Sequence, residues 1–220
     1  MPQRISSHFD QELEQVRNDV LRMGKLIEQQ LYSLLNAMQQ TDLLSLQNIA
    51  DADSQINRLE LEIDDACQTI LARRQPAASD LRLVLTISRI IVDLERMGDE
   101  LKKIALAAHA LFNLKRVSPN ALYDTHRLAS MTAPMIHRAL QAFSKLDANV
   151  LQELKEADKR LDTDYRNQAR TIITYMMEEP RNIGVWVEVM MMNKAIERIG
   201  DHAKNIAEHT VYLVQGVDVR

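Results

Sequence analysis

Glu95 and Asp99 stand four positions apart in the stretch Asp93-Leu94-Glu95-Arg96-Met97-Gly98-Asp99. The chain repeats the arrangement at Ala195-Ile196-Glu197-Arg198-Ile199-Gly200-Asp201. In a helix, side chains at i and i+4 share one face, about 6 Å apart. Two like charges there destabilise the helix by about 0.2–0.5 kcal/mol. A chain that repeats this cost needs a cation to offset it, either a bound ion or a basic side chain. In both copies an Arg follows the Glu and a Gly precedes the Asp.

A second pair of segments repeats as well. Asp53-x-x-Ile56-Asn57-x-x-Glu60 matches Asp158-x-x-Leu161-Asp162-x-x-Tyr165. Asp53 interrupts the apolar stripe Leu46, Ile49, Ile56, Ile63, and Asp158 interrupts Leu151, Leu154, Leu161. An ionised Asp in an apolar seam is expensive unless it is paired or coordinated. Two accounts meet this condition. In the first, Asp53/Asn57 and Asp158/Asp162 face Glu95/Asp99 and Glu197/Asp201 across a helix pair and present oxygen ligands to a cation. Such ligands suit hard cations (Mg, Mn, Fe or Ca) better than zinc, which favours His and Cys. In the second, Arg96 and Arg198 bridge to Asp53 and Asp158. The outer acids are then a solvated face, with Lys102, Lys103, Lys194 and Lys204 as partners three or four residues away. Spacing alone leaves both accounts open.

Other chemistries find less support. A carboxylate-bridged di-iron bundle wants Glu-x-x-His on its helices, and none of the six histidines has a Glu three residues before it. His202 and His209 share a face beside Asp201 and read as solvated helix-surface residues. Met190-Met191-Met192 reads as core at helical spacing. The sequence has no Gly-rich phosphate loop, no Ser/His/Asp or Cys/His arrangement and no dinucleotide fingerprint. A non-enzyme is the expectation.

These residues must be positioned by helices. Few Gly and Pro, few aromatics and many Leu, Ala, Met, Glu, Gln, Lys and Arg make the composition helical. Val16, Val20, Met23, Ile27, Leu31, Leu34 and Met38 form the stripe of a first helix over about 7–40, with Ser6 or Ser7 as its N-cap. Thr41-Asp42 opens a second helix, which Gln75-Pro76 ends. Ser79 caps a third, over about 80–112, with the seam Leu83, Ile87, Ile90, Leu94, Met97, Leu101 and Ile104. Ser118-Pro119 opens a fourth, to about Lys145. Asp147 or Asn149 opens a fifth, which stops at Glu179-Pro180. Asn182 caps a sixth, and Gly216 ends it. With Ile87, Leu94 and Leu101 at heptad a positions, Glu95 and Asp99 fall away from the main seam, as do Glu197 and Asp201 in the sixth helix. Helix order, lengths and acid pairs all repeat, so the chain reads as a tandem duplication of a three-helix unit, over 5–113 and 118–216. The short connections force neighbouring helices antiparallel. The expected fold is all-α: two tandem three-helix bundles in up-down order with a pseudo-twofold internal repeat, side by side or merged into one elongated body.

Composition narrows the partners. Net charge is −4 with both signs interspersed. No basic stripe points to nucleic acid. The single cysteine, Cys67, fits a reducing compartment. The most apolar runs are broken by charge, and the N-terminus lacks a signal pattern. The expected location is the cytoplasm.

The doubled motif carries a family resemblance. Glu95-Arg96-Met97-Gly98-Asp99-Glu100 with Lys103-Ile104-Ala105, and Glu197-Arg198-Ile199-Gly200-Asp201 with Asn205-Ile206-Ala207-Glu208, resemble the paired signature of the PhoU family. Phe9-x-x-Glu12-Leu13, Met23-Gly24 and the run Ala72 to Arg82 are similar to it too. The resemblance covers essentially the whole chain. It implies two three-helix repeats, a homodimer, and metal clusters at E(D)-x-x-x-D motifs, with iron, zinc, manganese or magnesium as the occupant. It also implies an adaptor that restrains the phosphate-starvation response, acting between the ATPase subunit of the phosphate ABC transporter and a membrane sensor histidine kinase, with peripheral membrane association through them. A metal-dependent phosphohydrolase or a metal-binding helical scaffold is the alternative. The motif carries over at Glu95/Asp99, Asp158/Asp162 and Glu197/Asp201. It departs at Asp53/Asn57, where an amide replaces a carboxylate, and at Lys103, where the second repeat has Asn205. Both departures make the first unit less anionic, so tighter metal binding is expected in the second.

Overall fold

The apolar periodicity folds as the pattern predicts. The computed structural model describes residues 2–113 and 122–219. Its long helices are α1 (Pro2–Gln40), α2 (Leu43–Arg74), α3 (Ala78–Asn113), α4 (Tyr123–Lys145), α5 (Val150–Glu178) and α6 (Ile183–Gln215). A single 3-10 turn, Pro180–Asn182, precedes α6. No strand occurs among the described residues.

The helix ends follow local chemistry. Asp42 turns its carboxylate back on the backbone N–H groups of Leu44 and Ser45, both at 3.1 Å, satisfying donors that the first turn of α2 leaves open. Gly216 closes α6 in the left-handed region, φ 72°, where glycine has no Cβ penalty, and donates its N–H to Tyr212 O at 2.8 Å. Asn149 and Asn182 occupy the predicted N-cap positions without a side-chain cap bond. Asp147 instead accepts from the Asn149 N–H. Two predicted starts shift: α1 already runs from Pro2, ahead of Ser6 and Ser7, and α3 includes Ser79. Helix ends move by a residue or two with little energetic consequence, but at α1 the whole first turn is added. Ser118-Pro119 lies outside the described residues.

Two trios of helices result. Within the first, Arg74 near the end of α2 reaches Glu12 near the start of α1, which makes these helices antiparallel. Within the second, Arg127–Asp164 and Arg138–Glu153 fix α4 antiparallel to α5 in the same way. The predicted seams are buried: Val20, Met23, Ile27, Ile87, Ile90, Leu94, Met97 and Leu101 are all inaccessible to solvent. Each such side chain contributes roughly 1.5–3 kcal/mol of hydrophobic stabilisation. The trios merge into one body. α3 lies antiparallel on α6, with Asp93 beside His202 and Glu100 beside Arg198. α1 lies against α4, where a Cβ on Gly24 would come within 2.4 Å of the Leu140 side chain.

Candidate metal centre

Gly98 and Gly200 are explained by close packing. A Cβ at Gly98 would stand 3.2 Å from Ile56 and 3.6 Å from Asp53 Oδ1 on α2. A Cβ at Gly200 would stand 2.3 Å from Leu161 on α5. The motif glycine therefore lets the Asp-bearing helix approach the Glu-x-x-x-Asp helix in each trio, which brings the two acidic segments face to face.

In the first trio Asp53 is buried and accepts from Lys102 Nζ at 2.9 Å and from Asn57 Nδ2 at 3.4 Å, both on Oδ2. Its Oδ1 and the Asn57 Oδ1 are buried without a partner. Glu95 and Asp99 are half-buried. Burial raises the Glu95 carboxyl above its ordinary range, and the charges of Asp99, Glu60 and Asp53 push the same way against Arg96. Burial and Asp64 raise Glu60 as well.

In the second trio Lys204 Nζ bridges Asp158 at 2.5 Å and Asp201 at 2.9 Å. Asp158 Oδ1 is buried and unbonded. Burial therefore raises the Asp158 carboxyl although Lys204 draws it down. Glu197 is held by Lys194 at 2.5 Å, and Asp162 by Arg166 at 3.5 Å. The Lys194 ammonium also sits 5.5 Å from the centre of the Tyr165 ring.

The motif arginines do not bridge to the seam aspartates, as the second sequence account expects. Arg96 is exposed, and Arg198 pairs with Glu100 at 3.2 Å. Lysines six residues further along reach Asp53 and Asp158, because Lys102 and Lys204 lie on the α2- and α5-facing sides of their helices. The acid pairs are also less exposed than expected: the Glu197 side chain is only 12% accessible, against 45% for Asp201.

The residues sequence reasoning missed lie between α3 and α6. Asp93 is buried and is bonded by His202 Nδ1 at 2.8 Å, Asn205 Nδ2 at 3.1 Å and His209 Nε2 at 3.1 Å. His202 and His209 are thus buried hydrogen-bonding partners, contrary to their reading as solvated residues. Asn205 is committed to Asp93. Burial works to raise the Asp93 carboxyl, yet these three partners outweigh it and hold it at about 2. A signal was present: Asp93 and Glu100, like His202 and His209, are seven apart and sit next to heptad a positions. A polar row beside the seam of each helix marks a second contact face.

The oxygen donors suit a hard cation, and the orphaned Asp53, Asn57 and Asp158 oxygens are what such an ion would satisfy. Among the described residues, no three Asp, Glu, His or Cys side chains stand in ready ligand geometry. Side-chain rotation and lysine displacement would have to come before any coordination there.

The family model described as PhoU domain matches residues 20–108 and 125–210. The chain belongs to the PhoU family. It is 44% identical over 98% of its length to the phosphate-specific transport system accessory protein PhoU homolog of Pseudomonas aeruginosa, covering 89% of that protein. It is 38% identical, with the same coverage of each chain, to the phosphate-specific transport system accessory protein PhoU of Escherichia coli K12. The crystal structure of PhoU from Pseudomonas aeruginosa superposes with a TM-score of 0.90 at 42% identity, covering 95% of this chain and 100% of that one. The phosphate transport system regulatory protein PhoU from Streptococcus pneumoniae gives 0.85 at 28% identity, covering 96% of this chain and 99% of that one. The two solved structures match this fold along nearly the whole chain.

Proposed function

We propose that this chain is a non-catalytic regulator of phosphate signalling and uptake. It acts between the ATPase subunit of a phosphate ABC transporter and a membrane sensor histidine kinase, represses the phosphate-starvation response and limits phosphate import. The observation that supports this reading most is the match to an accessory protein of phosphate-specific transport over 98% of the chain. The surface agrees with it. The acid pairs lie along helical flanks, outside the hollows lined by Met131 and Arg160, by Leu26 and Gln55, by Gln168 and Trp186, and by Lys103 and Glu188. Such a flank suits docking more than turnover, which wants a water-excluding pocket with a nucleophile or base. No described helix is long and apolar enough to cross a membrane. Association with the bilayer therefore runs through the transporter and kinase in this reading. The protein acts in the cytoplasm as a homodimer.

A metal ion (Fe, Zn, Mn or Mg) completes the proposal. Asp53, Asn57, Glu95 and Asp99 would hold it in the first trio, and Asp158, Asp162, Glu197 and Asp201 in the second. A bound cation would neutralise the acid pairs and present a positive centre on the flank. The docking claim is tested by co-purification. In membranes solubilised from phosphate-replete cells, the tagged chain should retain the transporter ATPase subunit. Its absence from the eluate at any salt concentration would overturn the reading.

A further inference from the structure

The two acidic seats are neutralised unequally. In the second trio each of the four carboxylates has a basic side chain of this chain against it: Lys204 on Asp158 and Asp201, Lys194 on Glu197, Arg166 on Asp162. In the first trio only Asp53 is paired, by a Lys102 side chain that is 42% accessible. Glu60, Glu95 and Asp99 make no ion pair among the described residues, and Glu95 feels Asp99, Glu60 and Asp53 together. Two buried oxygens, Asp53 Oδ1 and Asn57 Oδ1, are left without a donor on that side. Asp53 is 3% exposed, so leaving one of its oxygens unbonded is costly. Glu60 stands where the second trio has Tyr165, which restores the carboxylate that Asn57 removes.

We propose that Lys204 and Lys194 are built-in counter-cations that hold the second seat closed, so that a hard divalent cation fills the seat of Asp53, Glu60, Glu95 and Asp99 first. This rests on the metal reading above, and it reverses the order that a count of motif carboxylates gives. An entering ion in the second seat must break three short lysine contacts and repel two ammonium groups at close range. In the first it displaces one half-exposed lysine, while an unbonded buried aspartate oxygen, Asp53 Oδ1 or Asp158 Oδ1, is on offer in either seat. Charge repulsion at such distances is strong in a partly buried site.

Mn²⁺ titration followed by the EPR signal of the free aquo ion tests this on the full chain, with circular dichroism to confirm folding. The tightest Mn²⁺ site should weaken tenfold or more in Glu95→Gln and be unchanged in Glu197→Gln. Lys204→Met should tighten a second, weaker site about tenfold, which corresponds to about 1.4 kcal/mol. Lys204→Gln, the more soluble change, should do the same if the Met variant misfolds. Weakening of the tightest site by Glu197→Gln, or a second site indifferent to both Lys204 changes, would overturn the order of filling and leave the metal reading standing. Mn²⁺ bound by neither wild type nor the lysine variants would overturn the metal reading and this proposal with it.

Discussion

Asp93 carries three hydrogen-bond partners on one buried carboxylate. Its carboxyl is held at about 2, against an ordinary value of 3.8. A depressed carboxyl stabilises the fold above its unfolded value and loses that contribution as pH falls through the folded one. The contribution, about 2 kcal/mol, is therefore present above pH 4 and disappears between about pH 4 and pH 2. Urea midpoints of wild type and Asp93→Asn should differ at pH 7 and converge toward pH 2, and a gap that persists at pH 2 would contradict the assignment. Gly200 makes a separate prediction. An added methyl would gain up to about 1 kcal/mol of helix propensity, but it would meet Leu161 in a sealed core. Gly200→Ala should therefore lower stability by about 1–2 kcal/mol net. A raised urea midpoint would show that Leu161 has room to move.

The helices themselves were legible because each carries one clear seam, and Asp42 and Gly216 declare their caps by residue type. Single changes should respect that seam: Leu94→Ala should cost about 2–5 kcal/mol, whereas Val92→Ala, two residues away and 37% accessible, should stay within about 0.5 kcal/mol. Equal losses in a thermal denaturation series would mean that the heptad register is misplaced. The acidic pairs were legible as residues that need a cation, but not as to which cation serves. Lys102 and Lys204 outcompete Arg96 and Arg198 because helix phase, not sequence proximity to the Asp, decides which basic group crosses to the neighbouring helix. The second face of α3 and α6 was hidden for another reason. A hydrophobicity pattern finds apolar stripes, whereas this contact is built from Asp93, Glu100, His202 and His209, which score as surface.

That polar face makes one molecule of two trios. Apolar residues alone would let α3 and α6 slide by a turn with modest loss, since Leu and Ile substitute for one another along a seam. Asp93 between two histidines, and Glu100 against Arg198, penalise each wrong register with an unpaired buried charge. The merged body sets the two acidic flanks at fixed positions relative to each other, which is what the proposed docking to two membrane partners would need. The central claim is that those flanks are its working surface. Its most direct test is a phosphate-starvation reporter in bacteria lacking their own copy of the protein, grown in ample phosphate. Wild type should silence the reporter. The variant carrying Glu95→Gln, Asp99→Asn, Glu197→Gln and Asp201→Asn, present at equal level and with an unchanged melting temperature, should leave it on. Silencing by that variant as complete as by wild type would contradict the account.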